Sequence, residues 1–265
     1  MALSIKQTAK NYTVYPEVPL DVQLQSGTTA QSLLVVFVFA QQTGSYQNYA
    51  QLAPETAPPL VYTDKGDLLT QTDQVLNIPQ EVGYASFSPP DPNAIASPDA
   101  SWNFPSVYLF TGAPTAGAKH VYIVDGGLGN TSPAMSSPPE ADWPAGRPVF
   151  DGGIKAFAFE VAGKYSGTGQ TAVDKHGTVS GNSTTIGAGL FTPTNDDELV
   201  LEAGVLLDSS AIGLGTGATY QHSADYPAGS SSYLVQSTLQ STKAANAGFS
   251  NPIDYAGAAI AVALD

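Results

Sequence analysis

Short apolar or alternating segments recur along this 265-residue chain and are separated by clusters of glycine, proline, serine and aspartate. Helical periodicity is scarce, and segments bounded in this way by turn residues are typical of β-strands. We predict strands at residues 18–24, 33–40, 107–110, 121–124, 154–161, 199–207, 233–239 and 256–264. The chain is therefore expected to be all-β.

The pattern inside these segments predicts which faces are buried. Residues 33–40, LLVVFVFA, are apolar throughout, which indicates a strand covered on both sides. Residues 154–161 place two phenylalanines and a valine on one face and small alanines on the other. Residues 33–40 and 198–201 both follow a polar turn, so we expect these two strands to be neighbours at the centre of one sheet.

Many strands at this spacing favour a two-sheet β-sandwich of jelly-roll type, formed as a single domain by residues 1–265. Its core is expected to come from about 1–40 and 150–265. Residues 41–149 hold most of the prolines and both tryptophans, and their apolar runs are short. We expect this part to be a long loop-rich insertion, in which contacts with other molecules concentrate.

Charge and apolar length limit the partners. The chain has 9 Lys and Arg against 23 Asp and Glu, for a formal net charge of −14. Nucleic-acid binding normally needs a basic face, so no nucleic-acid partner is expected. The first residues lack the apolar region of a secretory signal, and the longest apolar run is too short to cross a bilayer as a helix. We therefore expect synthesis in the cytoplasm without a signal peptide and no membrane insertion.

Few side chains are suited to acid–base or nucleophilic chemistry. His120, His176 and His222 stand far apart and cysteine is absent, so the close ligand pairs of a zinc site are missing. The nucleophile-elbow pattern Gly-x-Ser-x-Gly does not occur. Residues 174–176, Asp-Lys-His, are interpreted as a solvated charged turn. We predict no enzymatic activity and no cofactor.

Oxygen-rich loops offer weak candidate ligands for calcium, which are Asp91, Asn93, Asp196 and Asp197. The same residue types form turns, and we favour that role, so no metal site is predicted.

Glu160 is the carboxylate with two competing interpretations. It stands late in a predicted strand, where we expect it to be exposed or paired with Lys155 or Lys164. In the alternative, an inward Glu202 on an adjacent strand would complete the carboxylate pair of a glycosidase.

Four aromatic residues in or beside the loop-rich segment are candidates for glycan or partner contact, because aromatic rings stack on sugar faces and anchor protein partners. They are Trp102, Trp143, Tyr46 and Tyr49. For the tryptophans, plugging the open ends of the sandwich is the alternative role.

The second half of the chain resembles a known group of domains. Residues 154–163, IKAFAFEVAG, resemble an aromatic-rich strand ending in Glu-x-x-Gly that recurs in jelly-roll domains of tailed-bacteriophage virion proteins. A Ser/Thr/Gly-rich stretch follows, then the strand opening at 192–201 and a closing small-residue strand at 256–264. The resemblance implies a concanavalin-like sandwich, as in head decorations, fibres and tail-associated subunits. No catalytic residues come with it.

The expected function is therefore that of a non-enzymatic virion structural protein, exposed on the surface of a tailed-phage particle. Its expected partners are other capsid or tail subunits, further copies of itself and a host surface glycan. The alternatives are a carbohydrate- or receptor-binding module and, third, a glycan hydrolase using Glu160.

Overall fold

The computed structural model describes residues 4–13, 19–44, 59–75, 102–124, 154–162, 173–185, 199–206, 219–223, 228–235 and 248–262. These residues form strands joined by turns, with no helix among them. The strands are β1 (Ser4–Thr13), β2 (Leu20–Gln23), β3 (Leu33–Gly44), β4 (Leu60–Thr63), β5 (Thr70–Val75), β6 (Trp102–Gly112), β7 (His120–Val124), β8 (Ile154–Ala162), β9 (Val173–Thr185), β10 (Leu199–Leu206), β11 (Thr219–Ser223), β12 (Ala228–Val235) and β13 (Gly248–Val262).

These strands form three antiparallel sheets. The central sheet has the order β1-β8-β3-β6-β5, the second five-stranded sheet has the order β11-β12-β10-β13-β9, and the three-stranded sheet has the order β2-β7-β4. Every ladder between neighbouring strands is antiparallel. The all-β sandwich predicted from the sequence is confirmed.

The central sheet is buried on both faces because successive side chains of a strand point to opposite sides. On one face lies the first core, in which β3 and β8 pack against Leu199 and Leu201 of β10. On the other face lies the second core, in which the same two strands pack against Val22, Val61 and Ile123 of the three-stranded sheet. The structure thus has three layers, where the sequence pattern predicted two.

Strand β3 shows this two-sided burial residue by residue. Its odd positions from Leu33 to Phe39 belong to the first core and its even positions from Leu34 to Val38 belong to the second. None of these side chains exposes measurable surface. The prediction of a strand covered on both sides is confirmed.

Aromatic side chains fix the pairing of β3 with β8 on the side of the first core. Phe37 meets Phe159 edge-to-face, with ring centroids 5.9 Å apart, and Phe39 meets Phe157 in the same manner at 6.1 Å. Edge-to-face pairs of this kind contribute about 0.5–1.5 kcal/mol beyond the area they bury. The predicted phenylalanine and alanine faces of residues 154–161 are both confirmed.

The expectation that residues 33–40 and 198–201 are neighbours in one sheet is wrong. Strand β3 lies between β8 and β6, and β10 lies between β12 and β13 in the second five-stranded sheet. The two strands face each other across the first core instead. Their similar apolar patterns reflect similar burial at the centres of two sheets, which is a property that does not specify pairing.

The predicted loop-rich segment, 41–149, contributes directly to the layers. Its described stretches, 59–75 and 102–124, supply β4, β5, β6 and β7, and β6 pairs with β3 along the central sheet. Residues 174–176, predicted as a turn, lie in β9. The single-domain and jelly-roll assignments stay predictions.

Two-sided burial makes a specific prediction for the adjacent residues Leu33 and Leu34. Each Leu→Ala change is expected to lower the free energy of unfolding by about 2–5 kcal/mol, because each removes a fully buried side chain and leaves a cavity. Urea unfolding followed by tryptophan fluorescence and circular dichroism measures both. The exposed Gln23→Ala is the control and is expected to change stability by less than about 0.5 kcal/mol. A neutral effect at either leucine would contradict the three-layer arrangement.

Candidate functional site

Most residues nominated from the sequence lie outside the described residues. These are Tyr46, Tyr49, Trp143, Asp91, Asn93, Asp196 and Asp197. Trp102 begins β6 opposite Gly44 of β3, and its side chain is outside the described part. Among the residues that the structure describes, no three His, Asp or Glu side chains are grouped so that they could hold a metal ion. The glycan and calcium candidates stay predictions.

Glu160 is buried, which corrects the expectation of a solvated strand-end carboxylate. Only 1% of its surface is exposed. One carboxylate oxygen accepts hydrogen bonds from the backbone N–H and the hydroxyl of Thr29, at 2.7 and 2.9 Å. The other accepts a hydrogen bond from the side-chain amide of Gln7 on β1. The carboxylate therefore accepts hydrogen bonds from one backbone group and two side chains of the protein itself.

The glycosidase pair Glu160–Glu202 is also ruled out by the alternation of side chains. Glu160 lies between Phe159 and Val161, which face the first core, so its side chain is on the side of the three-stranded sheet. Glu202 lies between Leu201 and Ala203, which face the same core from β10. Glu202 is therefore on the far face of its own sheet, and the two carboxylates are separated by both sheets.

The same alternation excludes a Glu160–Lys155 pair. Lys155 has the parity of Phe157, so it projects from the opposite face of β8, and its ammonium lies 5.6 Å from the centre of the Tyr12 ring.

Gln7 extends the network of Glu160 into the loop between β2 and β3. Its amide donates to the carbonyl of Ser26 at 3.0 Å, and its amide oxygen accepts the backbone N–H of Ser26 at 2.9 Å. Ser26 and Thr29 are thus both held by side chains from the central sheet. Side chains from two strands of the central sheet, β1 and β8, therefore hold this loop by hydrogen bonds.

Hydrogen bonding lowers the pKa of the Glu160 carboxyl. Burial alone would raise that pKa, but the backbone N–H of Thr29, the amide of Gln7 and the hydroxyls of Thr29 and Ser32 all stabilise the charged form, and together they outweigh it. Glu160 is therefore ionised at neutral pH and unsuited to act as a general acid.

The carboxylate of Asp67 connects two other segments by hydrogen bonds, as the carboxylate of Glu160 does for the β2–β3 loop. Its carboxylate accepts hydrogen bonds from the hydroxyl of Thr63 at 2.6 Å, and from the backbone N–H and hydroxyl of Thr115 at 2.7 and 2.6 Å. The turn after β4 is thereby tied to the loop between β6 and β7. Burial would raise the pKa of Asp67, but the hydrogen bonds from Thr115 and Thr63 lower it overall.

Thr28 joins the β2–β3 loop to the β6–β7 loop. Its N–H donates to the carbonyl of Ala118 at 2.8 Å and its carbonyl accepts the N–H of Gly117 at 2.7 Å. Its hydroxyl donates to the carbonyl of Thr115 at 2.7 Å. A Cβ on Gly27 would lie 2.9 Å from the Cα of Gly117, so this close approach requires glycine at position 27.

Three loops therefore form one connected surface at one end of the layers, which we call the loop end. It comprises residues 24–32, 64–69 and 113–119. Leu68 lies on it with 54% of its surface exposed, an uncommon degree of exposure for a leucine in the described part.

A second candidate surface is the outward side of the three-stranded sheet, which we call the outer face. The registers place Asp21 beside Tyr122 and Tyr122 beside Tyr62, with Gln23 beside His120 in the next row. These positions alternate with the buried Leu20, Val22, Val121, Ile123 and Val61, so they point away from the second core. Tyr62 is nevertheless buried, with 7% of its surface exposed.

The polar and aromatic groups of the outer face contact one another. The Nδ1 atom of His120 lies 3.0 Å from each carboxylate oxygen of Asp21. The His120 ring is stacked on Tyr122 with an interplanar angle of 7° and a centroid distance of 5.9 Å, and Tyr62 follows at 5.4 Å from Tyr122. A row of three rings thus runs across β7 and β4, with a carboxylate at one side.

The electrostatics of the outer face are negative. Burial raises the pKa of Tyr122, and the nearby carboxylates of Asp21 and Asp64 raise it further. Burial also raises the pKa of Tyr62, as does the neighbouring Tyr122. Both phenols are therefore neutral at physiological pH and can donate hydrogen bonds.

His176 links the edges of two sheets. Its Nδ1 atom lies 2.7 Å from a carboxylate oxygen of Asp73 on β5. Both side chains are partly exposed, so the pair is expected to contribute at most about 1 kcal/mol. The third histidine, His222, lies in β11.

Comparison with protein-family models, with curated proteins and with solved structures finds no match for this chain. Within the described ranges, no helix has the length and apolar character needed to cross a membrane.

Sequence reasoning missed both surfaces. For the outer face a signal was present, because the alternation of residues 18–24 turns Asp21 and Gln23 outward and His120 opens a strand. For Glu160 there was none, since its partners lie 131 and 153 residues away in the chain.

The Glu160 network predicts a pH-dependent loss of stability. Glu160→Gln is expected to lower the free energy of unfolding at pH 7 by about 1.5–3 kcal/mol, because it removes charge-assisted hydrogen bonds. A lowered pKa in the folded state means that this stabilisation is present at neutral pH and is lost as the pH falls through that folded-state pKa. The difference between wild type and variant should therefore shrink on acidification. Urea unfolding from pH 7 to pH 3 measures it.

The control for this experiment is Asp21→Asn, which removes a carboxylate with 43% of its side chain exposed. It is expected to change stability by less than about 1 kcal/mol, because pairs at exposed positions contribute little. A pH-independent difference for Glu160→Gln would contradict the assignment of an ionised, hydrogen-bonded carboxylate.

Proposed function

We propose that the protein is a non-enzymatic structural subunit exposed on a particle, namely the virion of a tailed bacteriophage. The observation that carries the proposal is the hydrogen bonding of Glu160 and Asp67. Both carboxylates accept hydrogen bonds that hold the loop end in place. Acceptors bound in this way are poor reagents for catalysis and good supports for a rigid contact surface.

A rigid loop end suits repeated assembly contacts. Binding by mobile loops costs the entropy of ordering them, whereas loops ordered beforehand avoid that cost. The exposed Leu68 offers an apolar side chain that a partner can cover at this surface. The partners proposed are other capsid or tail subunits and further copies of the chain.

The phage particle itself is proposed from the resemblance of residues 154–163 and of the segments that follow them. The net charge of −14 supports solubility at the high local concentration of a particle surface. Position on the virion surface, after synthesis in the host cytoplasm, is part of the same proposal. The carbohydrate- or receptor-binding alternative depends on Trp102, Trp143, Tyr46 and Tyr49 and stays a prediction.

Association with particles is the direct test. Tailed-phage particles from the source culture would be purified on a density gradient and their proteins quantified by mass spectrometry. The protein is expected to co-purify with them at a constant ratio to the major capsid protein, and antibodies against it should label the particles in electron micrographs. Recovery only in the soluble fraction, with unlabelled particles, would contradict the proposal.

The loop end can be tested separately with Leu68→Glu. We expect this change to weaken binding to particles that lack the protein by at least about tenfold, because charged replacement of a central apolar contact costs more than about 1–2 kcal/mol. The matched control is Gln74→Glu, which adds the same charge at an exposed position on β5. Both variants should keep the wild-type circular dichroism spectrum. Equal binding by Leu68→Glu and wild type would remove the loop end from the interface.

A further inference from the structure

The outer face adjoins the loop end, since the backbone N–H of Asp64 donates to the carbonyl of His120 at 3.1 Å and the Asp64 carboxylate accepts the backbone N–H of Lys119 at 3.0 Å. It lies on the side of the three-stranded sheet away from both cores, and its central groups are Asp21, His120 and Tyr122. The His120 ring is parallel to the Tyr122 ring, the Tyr62 ring is tilted against it by 43°, and the Asp21 carboxylate lies at one side of this row.

The carboxylate of Asp21 has capacity for a second donor. Both of its oxygens lie 3.0 Å from the single Nδ1 atom of His120, which can supply one proton at most. An ionised carboxylate offers about four lone-pair positions. The Asp21 side chain is 43% exposed, so a donor from another molecule has access to it.

The aromatic groups beside Asp21 attract positive charge. The faces of aromatic rings carry negative electrostatic potential, and a cation within about 6 Å of a ring centroid is stabilised by it. A second carboxylate, that of Asp64, lies at the start of β7, where it accepts the backbone N–H of Lys119 at 3.0 Å and approaches the N–H of His120 at 3.5 Å. The net charge of −14 adds long-range attraction for a basic partner.

We propose that the outer face binds an arginine side chain presented by a partner protein, with the guanidinium paired to Asp21 and lying against the Tyr122 ring. Arginine fits better than lysine because its planar guanidinium can donate two hydrogen bonds to one carboxylate while it stacks on an aromatic ring. This proposal is independent of the phage assignment, since it depends only on the groups of the outer face and on the adjoining Asp64.

The test is a titration of the whole protein with the peptide acetyl-Gly-Arg-Gly-amide. The probe is the Tyr122 signal in a tyrosine-labelled sample, identified by its loss in Tyr122→Leu. The arginine peptide is expected to shift this signal in a saturable way. A peptide with citrulline, which has nearly the same shape but no charge, is expected not to shift it.

Variants separate a local site from the general attraction of an acidic protein. Asp21→Asn is expected to weaken the arginine peptide by about two- to fivefold, the effect of losing one exposed charge pair. Asp21→Glu, which keeps the carboxylate, should retain most of the affinity. Asp73→Asn is the matched control: it changes the net charge equally, lies on β5 and should leave the affinity unchanged.

Several results would overturn the proposal. Equal weakening by Asp21→Asn and Asp73→Asn would reduce the effect to net charge. A shift of Tyr122 by the citrulline peptide, or by neutral glycans in place of the arginine peptide, would assign the face to another ligand.

The chain has one arginine, Arg147. Concentration-dependent shifts of Tyr122 that vanish in Arg147→Ala would assign the face to self-association instead of a different partner.

Discussion

The burial of both faces of the central sheet is the constraint on which the rest of the structure depends. A strand such as β3, with no polar side chain from Leu33 to Phe39, cannot be stable with either face in water. The chain must therefore supply two further sheets, one for each face. Burial of a Leu or Phe side chain contributes about 1.5–3 kcal/mol, so the two cores together provide the main driving force for folding. The loops of the loop end connect strands of these packed sheets, so the packing determines where the loops lie.

The sequence predicts most interior strands and misses most edge strands, although it finds the edge strand β2 and places the interior strand β12 at residues 233–239 instead of 228–235. Residues of β3, β8 and β10 are buried by neighbours on both sides, so burial dictates their apolar pattern. The strands that sequence reasoning missed, which are β1, β4, β5, β9 and β11, all lie at the edges of their sheets. Edge strands meet water along one side, and polar residues are favoured there because they discourage pairing with other chains. The composition of β1, β5, β9 and β11 therefore resembles that of loops, whereas the short strand β4, with the sequence LVYT, is mainly apolar.

The same contrast holds for the two candidate surfaces. Asp21 and His120 stand in alternating strands, so their outward direction follows from local pattern, and only their mutual contact requires the fold. Glu160 sits in a strand that is otherwise apolar, where local pattern says nothing about its partners. Its environment depends on Gln7 and Thr29, which reach it only when β1 and β3 have paired on either side of β8. Long-range pairing of this kind leaves no mark in nearby residues.

Glu160 also connects the core to the loop end through the register of β8. A slip of one residue against β1 and β3 would turn every side chain of β8 to the opposite face. Glu160 would then enter the first core near Val35 of β3 and Leu199 of β10, where an ionised carboxylate without hydrogen-bond donors is costly by several kcal/mol. In the observed register the same group finds donors from β1 and from the β2–β3 loop. One buried charge thus disfavours the shifted pairing, and its hydrogen bonds fix the surface presented at the end of the sheets.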